Sequence, residues 1–287
     1  MPSKLGLLIL LSVVTLSLPS CSNDDDSTDK SEYKFSKFDN FNNITYDNEG
    51  HIVSLEETQD DYFAPIINYS FTTNDYGKVT SYTAVTTYEF QESPQTTLTT
   101  ITRKIVNLEY DTNQRLSKQY LEMHRSEQYI NDEFEHVQNL NTLYTENDGL
   151  MFEFEYDENG RFIAYTDYHI VFPAQTTIIY NDNEIRQTKI VVDAYFQTQS
   201  EQEYIVSSFD DNTPNPFFKF FQETGIFIEE FAIKMLSENM YSNYSRIDHF
   251  TYNADVSTIH SGNDLYPSVI IYTAENGPEE TFNFNYH

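Results

Sequence analysis

One short stretch, residues 154–163, constrains the fold of this chain more than any other. It reads Phe-Glu-Tyr-Asp-Glu-Asn-Gly-Arg-Phe-Ile. Aromatic and polar residues alternate up to Tyr156, which places successive side chains on opposite faces of a strand. Asn159 and Gly160 tolerate the positive φ that a tight primed turn requires, and a second strand rich in aromatic and branched residues follows. The stretch therefore predicts a β-hairpin.

Looser copies of this stretch recur along the chain, each with a strand end, an Asp/Asn turn and an apolar exit. They occupy residues 44–53, 73–79, 110–116, 180–185, 252–256 and 272–278. Their spacing is irregular, so they do not form a strict solenoid. They predict a mainly all-β domain over residues 33–287, an antiparallel hairpin meander that forms a curved sheet or barrel-like roll. Residues 123–137 stay open between strand and surface helix.

Residues 213–240 interrupt the hairpins and predict a phenylalanine-rich helical crossover. A proline-rich entry leads into Phe217, Phe218, Phe220 and Phe221. Apolar residues at helical spacing then predict one helix near residues 226–237. If the domain binds a ligand, these four phenylalanines are the best candidates for contact with it, but the same cluster favours a buried plug.

The composition is strongly acidic and rich in aromatic residues. The formal net charge is −30, from 46 acidic and 16 basic residues. Such an excess repels nucleic acid, which we exclude as a partner. The 23 Tyr and 22 Phe supply enough apolar surface for a core.

The N-terminus carries an export signal. A lysine and an apolar run make residues 1–20 a cleaved signal peptide rather than a membrane-spanning helix. The run ends in Leu18-Pro19-Ser20-Cys21, which resembles the lipobox of bacterial lipoproteins. This resemblance implies lipidation of Cys21, the only cysteine, and a membrane partner reached through the attached acyl chains.

Residues 21–32 are acidic and polar, and predict a disordered tether. The acidic cluster behind Cys21 resembles the surface-export signal of Bacteroidota lipoproteins. It implies an outer-membrane location, with the domain facing the cell exterior. The alternative is a solvated spacer on a lipoprotein that faces the periplasm.

Two further resemblances concern the domain itself. The Tyr-Asp-x-x-Gly-Arg units are similar to the YD repeats of large bacterial surface and toxin shells, which implies strand-turn architecture. Residues 209–287, with Asn-Pro-Phe at 215–217 and Tyr-Pro-Ser-Val at 266–269, resemble a Bacteroidota surface lipoprotein family of unassigned function with a porin-like β fold. That resemblance implies a curved or barrel-like sheet with a helix packed on or across it, and brings no catalytic residues.

No motif in the chain indicates a catalytic or metal site. The seven His are scattered, and there is no G-x-S-x-G or phosphate-binding loop. We predict no cofactor, although Asp/Asn-rich turns such as 111–113 and 157–159 leave adventitious calcium open.

Two hypotheses for function remain. The first is a non-enzymatic surface module, binding or structural, with a surface protein or glycan as its partner. The second is a carbohydrate-active, glycoside-processing lipoprotein that uses an unrecognised carboxylate pair.

Overall fold

The computed structural model describes residues 33–58, 65–93, 96–131, 134–142, 149–168, 174–193, 198–248, 251–262, 264–275 and 278–287. The predicted signal peptide, Cys21 and the acidic tether lie outside the described residues. Residues Tyr33–His287 form one compact unit.

Seventeen strands, β1 to β17, form a single antiparallel sheet. Their bounds are Phe35–Phe38, Phe41–Tyr46, Ile52–Glu57, Ile67–Thr73, Val79–Ser93, Thr96–Tyr110, Leu116–Asn131, Phe134–Thr142, Leu150–Tyr156, Phe162–Asp167, Ala174–Asn181, Glu184–Asp193, Thr198–Pro214, Asn239–Ile247, Thr251–Ile259, Val269–Ala274 and Glu280–Tyr286. The undecided residues 123–137 therefore lie mostly in β7 and β8.

The sheet closes into a barrel, which confirms the predicted all-β meander. Strand β1 closes the ring because it pairs with β2 on one side and with β17 on the other. The first part of β7 pairs with β9, whereas its second part, from Met123, pairs with β8. Sixteen strands thus complete the barrel. The far halves of β5, β6 and β7 extend beyond it together with β8.

The hairpin turns after β2, β4, β6, β9 and β11 all lie at one end of the barrel, which we call the turn rim. Five of the predicted hairpins, including the opening stretch, are confirmed there. At the opposite end, β16 and β17 pair as the hairpin predicted at residues 272–278 requires, and residues 276 and 277 lie outside the described residues. The turn predicted at residues 252–256 is wrong, because these residues continue β15 and pair with both β14 and β16.

Side chains alternate between an apolar interior and a polar exterior. In β17, Phe282 and Phe284 are buried, whereas Asn283 and Asn285 are exposed. Strand β15 follows the same rule, with Ala254 and Val256 buried between exposed polar residues. The alternation shows that the barrel encloses its core and turns its polar side chains outward.

Residues 215–238, which we call the inner segment, fill the barrel. The segment contains an α-helix, α1 (Pro216–Thr224), and a 3-10 helix (Glu229–Met235). The helix predicted near residues 226–237 thus corresponds to the 3-10 helix, while the α-helix lies earlier, within the phenylalanine cluster. No helix in the described part of the chain is long and apolar enough to cross a membrane.

Local sequence signals explain where α1 begins and ends. Its N-cap is Asn215, whose side-chain Oδ1 accepts a hydrogen bond from the backbone N–H of Phe217, and Pro216 occupies the first turn. The helix ends at Gly225, which adopts a left-handed conformation with φ of +66°. A side chain at this position would also meet Leu108 of β6, since a Cβ there would lie 2.5 Å from Leu108 Cδ1.

The inner segment contacts the barrel wall on all sides. Phe220 stacks on Phe38 of β1 with ring centroids 4.0 Å apart. Phe227 packs edge-on against Phe152 of β9 and Tyr165 of β10, each at 5.0 Å. Further contacts join Gly225 to Gln119 of β7, Glu229 to Lys189 of β12, and Lys234 to Tyr244 of β14 and Tyr272 of β16. The segment is therefore the centre of the hydrophobic core.

Candidate ligand cavity at the turn rim

An aspartate side chain organises each of the turns that begin with a Tyr-Asp pair, at Asp47, Asp111 and Asp157. In the opening stretch, Asp157 Oδ1 accepts hydrogen bonds from the backbone N–H groups of Asn159 and Arg161, at 2.9 and 2.8 Å. Its Oδ2 accepts from the Arg161 guanidinium at 2.7 Å. Partial burial alone would raise the pKa of Asp157. The hydrogen bonds and the positive charge of Arg161 outweigh this effect and hold the pKa below its usual value.

The predicted primed turn is wrong in detail. Both types of primed turn require positive φ at the first central residue, Asn159, but only Gly160 has positive φ, of +84°. The Asp157 side chain accepts from the backbone N–H of Arg161, which fixes a longer turn with one left-handed residue, Gly160. The register of the β9–β10 pair then shifts between Phe162 and Ala164. Gln114 takes the same left-handed conformation in the turn after β6, with φ of +63°. The position thus keeps its conformation even where glycine is missing.

A ladder of cations and tyrosines links neighbouring turns, and we call it the rim ladder. The basic residue that ends one turn lies over the tyrosine ring of the next hairpin. Lys78 lies over Tyr110 at 5.1 Å, Arg115 over Tyr156 at 4.6 Å and Arg161 over Tyr180 at 5.0 Å. Each contact is of the cation–π type.

The same tyrosines also hold the neighbouring hairpin by its backbone. Tyr110, Tyr156 and Tyr180 donate their hydroxyls to the carbonyl oxygens of Val79, Leu116 and Phe162, at 2.6, 2.9 and 2.9 Å. Each acceptor is the residue directly after the basic residue of the previous turn. The Tyr, Asp, basic and apolar positions of the repeat therefore form one device that joins consecutive hairpins.

Alkaline pH is expected to weaken this ladder. Burial raises the pKa of Tyr180 to about 12 from a usual value of 10.0, because its ring is partly enclosed. On raising the pH, the Tyr180 hydroxyl loses its proton in the unfolded chain before it does so in the folded chain. The stability that the neutral hydroxyl contributes is therefore fully present below pH 10.0 and is lost between pH 10.0 and about pH 12. We predict that Tyr180→Phe lowers the free energy of unfolding at neutral pH by about 1 kcal/mol and reduces its decline across that interval.

Urea unfolding followed by circular dichroism at several pH values measures this effect. Tyr76→Phe is the matched control, because Tyr76 is 86% exposed in the turn after β4. A Tyr180→Phe variant with the pH dependence of the unchanged protein would contradict the prediction.

A cavity of about 610 Å³ opens between the rim ladder and the inner segment; we call it the rim cavity. The ladder side chains Lys78, Tyr110, Arg115, Tyr156, Arg161 and Tyr180 form part of its wall. Phe218, Phe221 and Gln222 of α1 and residues 235–238 contribute another part. Cavities of this volume accommodate small molecules.

The structure divides the four candidate phenylalanines into two pairs. Phe217 and Phe220 are buried in the core, at 0% and 1% exposure, and cannot contact a ligand. Phe218 and Phe221 are half-buried and line the rim cavity. The cluster therefore combines both sequence interpretations, a plug on one face of α1 and a cavity wall on the other.

The cations of the rim cavity were not predicted as site residues from the sequence. Lys78, Arg115 and Arg161 belong to hairpins far apart in the chain, and barrel closure brings them to one wall. A signal was nevertheless present, because a basic residue repeatedly follows the turn and precedes the apolar exit. Its partner, the tyrosine of the next hairpin, could not be read from one repeat alone.

Carboxylates have a minor place in the rim cavity. Among the described residues, Glu238 is the only acidic side chain that lines it, so no described carboxylate pair faces it.

A second cavity, of about 440 Å³, lies at the other end of the barrel, and its lining includes Asp39 and Glu57. Glu57 accepts hydrogen bonds from the Tyr69 hydroxyl at 2.5 Å and from Asn40 at 3.4 Å. These contacts tie Glu57 to the cavity wall.

The described residues contain no group of three or more His, Cys, Asp or Glu side chains arranged to hold a metal ion. In the turns where calcium binding stays open, Asp111 and Asp157 are already paired with Arg115 and Arg161. A calcium ion at either turn would compete with the arginine for the same oxygen.

These features define a class: a closed antiparallel β-barrel with an internal core segment and a small-molecule-sized cavity at the turn rim.

Two solved structures of porin-like proteins are similar to this chain. One, from Bacteroides uniformis, is 12% identical with a TM-score of 0.40, over 81% of this chain and 95% of that chain. The other, from Bacteroides vulgatus, is 11% identical with a TM-score of 0.34, over 85% of this chain and 91% of that chain. No protein-family model and no curated protein sequence matches this chain.

Proposed function

We propose that this protein is a lipid-anchored lipoprotein of the outer membrane, a non-enzymatic binding module that faces the cell exterior and holds a small ligand in the rim cavity. The observation that carries the binding proposal is the rim cavity itself. Its volume of about 610 Å³ suits a small molecule, and aromatic side chains line it. Four aromatic side chains of its wall, Tyr110, Tyr156, Tyr180 and Phe221, pack against the hydrophobic core, so we expect the cavity to be largely preformed.

Phe218 is the side chain best placed to contact a ligand. It lines the cavity from α1 and does not belong to the cluster of buried and partly buried residues that forms the core. The cost of leaving such a ring in contact with water is recovered when a ligand covers it. Ligand binding therefore explains a phenylalanine at this position better than packing does.

The outward polarity of the barrel supports anchoring through the N-terminus. An inserted barrel needs an apolar band toward lipid. Here the outward residues of β15 include Asn253, Asp255 and Ser257, and those of β17 include Asn283 and Asn285. The large exposed apolar side chains of the described residues are scattered, with at most two on any strand. Such an exterior suits water, and the lipobox at Cys21 supplies the anchor.

Metabolic labelling with radioactive palmitate tests the anchor. The unchanged chain is expected to take up the label and to enter the detergent phase on phase separation, whereas Cys21→Ser is expected to do neither. An unlabelled chain would overturn the anchoring proposal.

Protease treatment of intact cells tests the outward orientation, with degradation as the expected result. Protection from protease until the cells are permeabilised would overturn the proposal that the domain faces the cell exterior.

Fluorescence titration with the uncharged probe N-phenylnaphthylamine tests the cavity. The chain carrying Cys21→Ser, which cannot be acylated, is expected to bind the probe saturably. Adding Phe218→Ser is expected to weaken binding about tenfold, because the probe loses a buried ring contact. Phe90→Ser is the matched control, since Phe90 is 49% exposed on β5 and lies outside the cavity. Saturable binding that Phe218→Ser leaves unchanged would overturn this site.

A further inference from the structure

We propose that the natural ligand of the rim cavity is a small acidic molecule with an apolar body, and that Lys78 binds its acidic group. This inference rests on the proposed function and adds the chemical class of the ligand. It follows from the charges of the cavity wall, where one cation differs from the other two.

The two arginines of the wall are already neutralised. The Arg115 guanidinium lies 2.7 Å from Asp111 Oδ2, and the Arg161 guanidinium lies 2.7 Å from Asp157 Oδ2. In both turns the aspartate also accepts hydrogen bonds from the backbone of its own turn. Each arginine is therefore paired with an aspartate of its own turn, and the two ion pairs add little net charge to the cavity.

Lys78 occupies the same position in its turn but has no such counter-ion. The residue in the place of the aspartate is Asn74, whose side-chain oxygen accepts from the backbone N–H groups of Tyr76 and Lys78. An amide makes the same turn without a negative charge. Within the described part of the chain, the Lys78 ammonium has no carboxylate partner; it donates to the Gln114 carbonyl oxygen and lies over the Tyr110 ring.

An unpaired, half-buried ammonium is notable in a chain with a net charge of −30. Acidic residues outnumber basic ones almost three to one, so a lysine has many candidate partners on average. Among the described residues, Glu238 is the one carboxylate of the cavity wall, and it forms no ion pair with Lys78; the contacts of Lys78 are the Gln114 carbonyl oxygen and the Tyr110 ring. An anionic group on a ligand would form with Lys78 the same kind of ion pair that Asp111 and Asp157 form with the arginines of their own turns.

Arg161 adds a polar group to the cavity wall, two hairpins along the turn rim from Lys78. Its side chain is 51% exposed and lines the cavity. Its Nε and Nη2 atoms contact Asp157, while Nη1 has no partner among the described residues. The rings of Phe218 and Phe221 line the same cavity and are available to cover the apolar body of the ligand.

Two probes with the same ring system separate this inference from the proposed function. Anilinonaphthalene sulfonate carries an anionic group that N-phenylnaphthylamine lacks. Both are titrated into the Cys21→Ser chain, alone and with Lys78→Gln. Lys104→Gln is the matched control, because it removes the same charge at the second cavity. Thermal midpoints and near-ultraviolet circular dichroism check that every variant keeps the folded barrel.

We expect the sulfonate to bind about fivefold more tightly than the uncharged probe at low salt, with the preference declining as salt is added. Lys78→Gln is expected to remove the preference by lowering the affinity for the sulfonate about fivefold more than that for the uncharged probe, and Lys104→Gln to leave both affinities unchanged. Equal affinities for the two probes, or a preference that survives Lys78→Gln, would overturn this inference and leave the cavity itself intact. Binding of neither probe would overturn the proposed binding function as well.

Discussion

Asn215→Ala is expected to lower the free energy of unfolding by about 3 kcal/mol or more. Asn215 is 1% exposed and joins both ends of the inner segment. Its side-chain Nδ2 donates to the carbonyl oxygens of Lys234 and Ser237, at 2.7 and 2.9 Å, and its Oδ1 caps α1. Alanine would remove the cap and leave two carbonyl oxygens without their donor inside the barrel.

Chemical denaturation followed by circular dichroism measures this loss. Asn253→Ala is the matched control, because Asn253 is exposed on the outer face of β15; its effect is expected to stay within about 0.5 kcal/mol. Equal, small losses for the two variants would contradict the view that Asn215 fixes the inner segment in place.

Phe220→Ala is expected to cost about 3–5 kcal/mol, the range for removing a buried aromatic ring from a packed core. The Phe220 ring is 1% exposed and packs against Phe38 and Phe41, with ring centroids 4.0 and 5.0 Å apart. Because the surrounding rings belong to different strands, the structure can close over the resulting cavity only in part.

Phe218→Ala, two residues earlier on the same helix, is expected to cost less than about 1.5 kcal/mol, since Phe218 is half-buried and faces the rim cavity. Thermal and denaturant unfolding of the two variants compare them directly. Equal losses would show that both rings belong to the core, and would remove Phe218 as a ligand contact.

The sequence predicted the local units of this fold well. The confirmed hairpins depend on interactions within a few residues, such as the hydrogen bonds that Asp157 accepts from the backbone N–H groups of Asn159 and Arg161. Such contacts are encoded in one short stretch and recur wherever it recurs. The exception, residues 252–256, contains the same residue types but lies within β15, because pairing with strands on both sides extends it.

The sequence indicated an interruption of the hairpins at residues 213–240, but not that this segment lies inside the barrel or that a cavity forms at the turn rim, because both depend on long-range contacts. Helical spacing over residues 226–237 is real, yet Asn215, Pro216 and Gly225 start and stop the α-helix earlier. The capping residues of α1 are visible in the sequence, whereas the burial of α1, which favours a helix at this position, depends on contacts with the barrel wall. Likewise, Lys78 and Arg161 meet one cavity only after the meander has closed.

The split between Phe220 and Phe218 shows the same limit at the level of single residues. Both belong to one apolar run, and composition treats them alike. Helical geometry turns them to different faces of α1, and the position of α1 inside the barrel decides which face meets the core. A phenylalanine cluster therefore predicts burial as a group, but not which member remains available to a ligand.

Native-state hydrogen exchange of residues 215–238 tests most directly whether the inner segment is the core of the barrel and the fixed wall of the rim cavity. The N–H of Asn215 donates to Glu238, that of Phe217 to the Asn215 side chain, and that of Ile226 to the Thr224 hydroxyl. We predict that these amides exchange only through global unfolding, with the same opening free energy as amides of β10 and β11. Exchange of the inner segment at a much lower opening free energy, with the strands still protected, would contradict the account, because it would make the segment a mobile insert in an otherwise independent barrel.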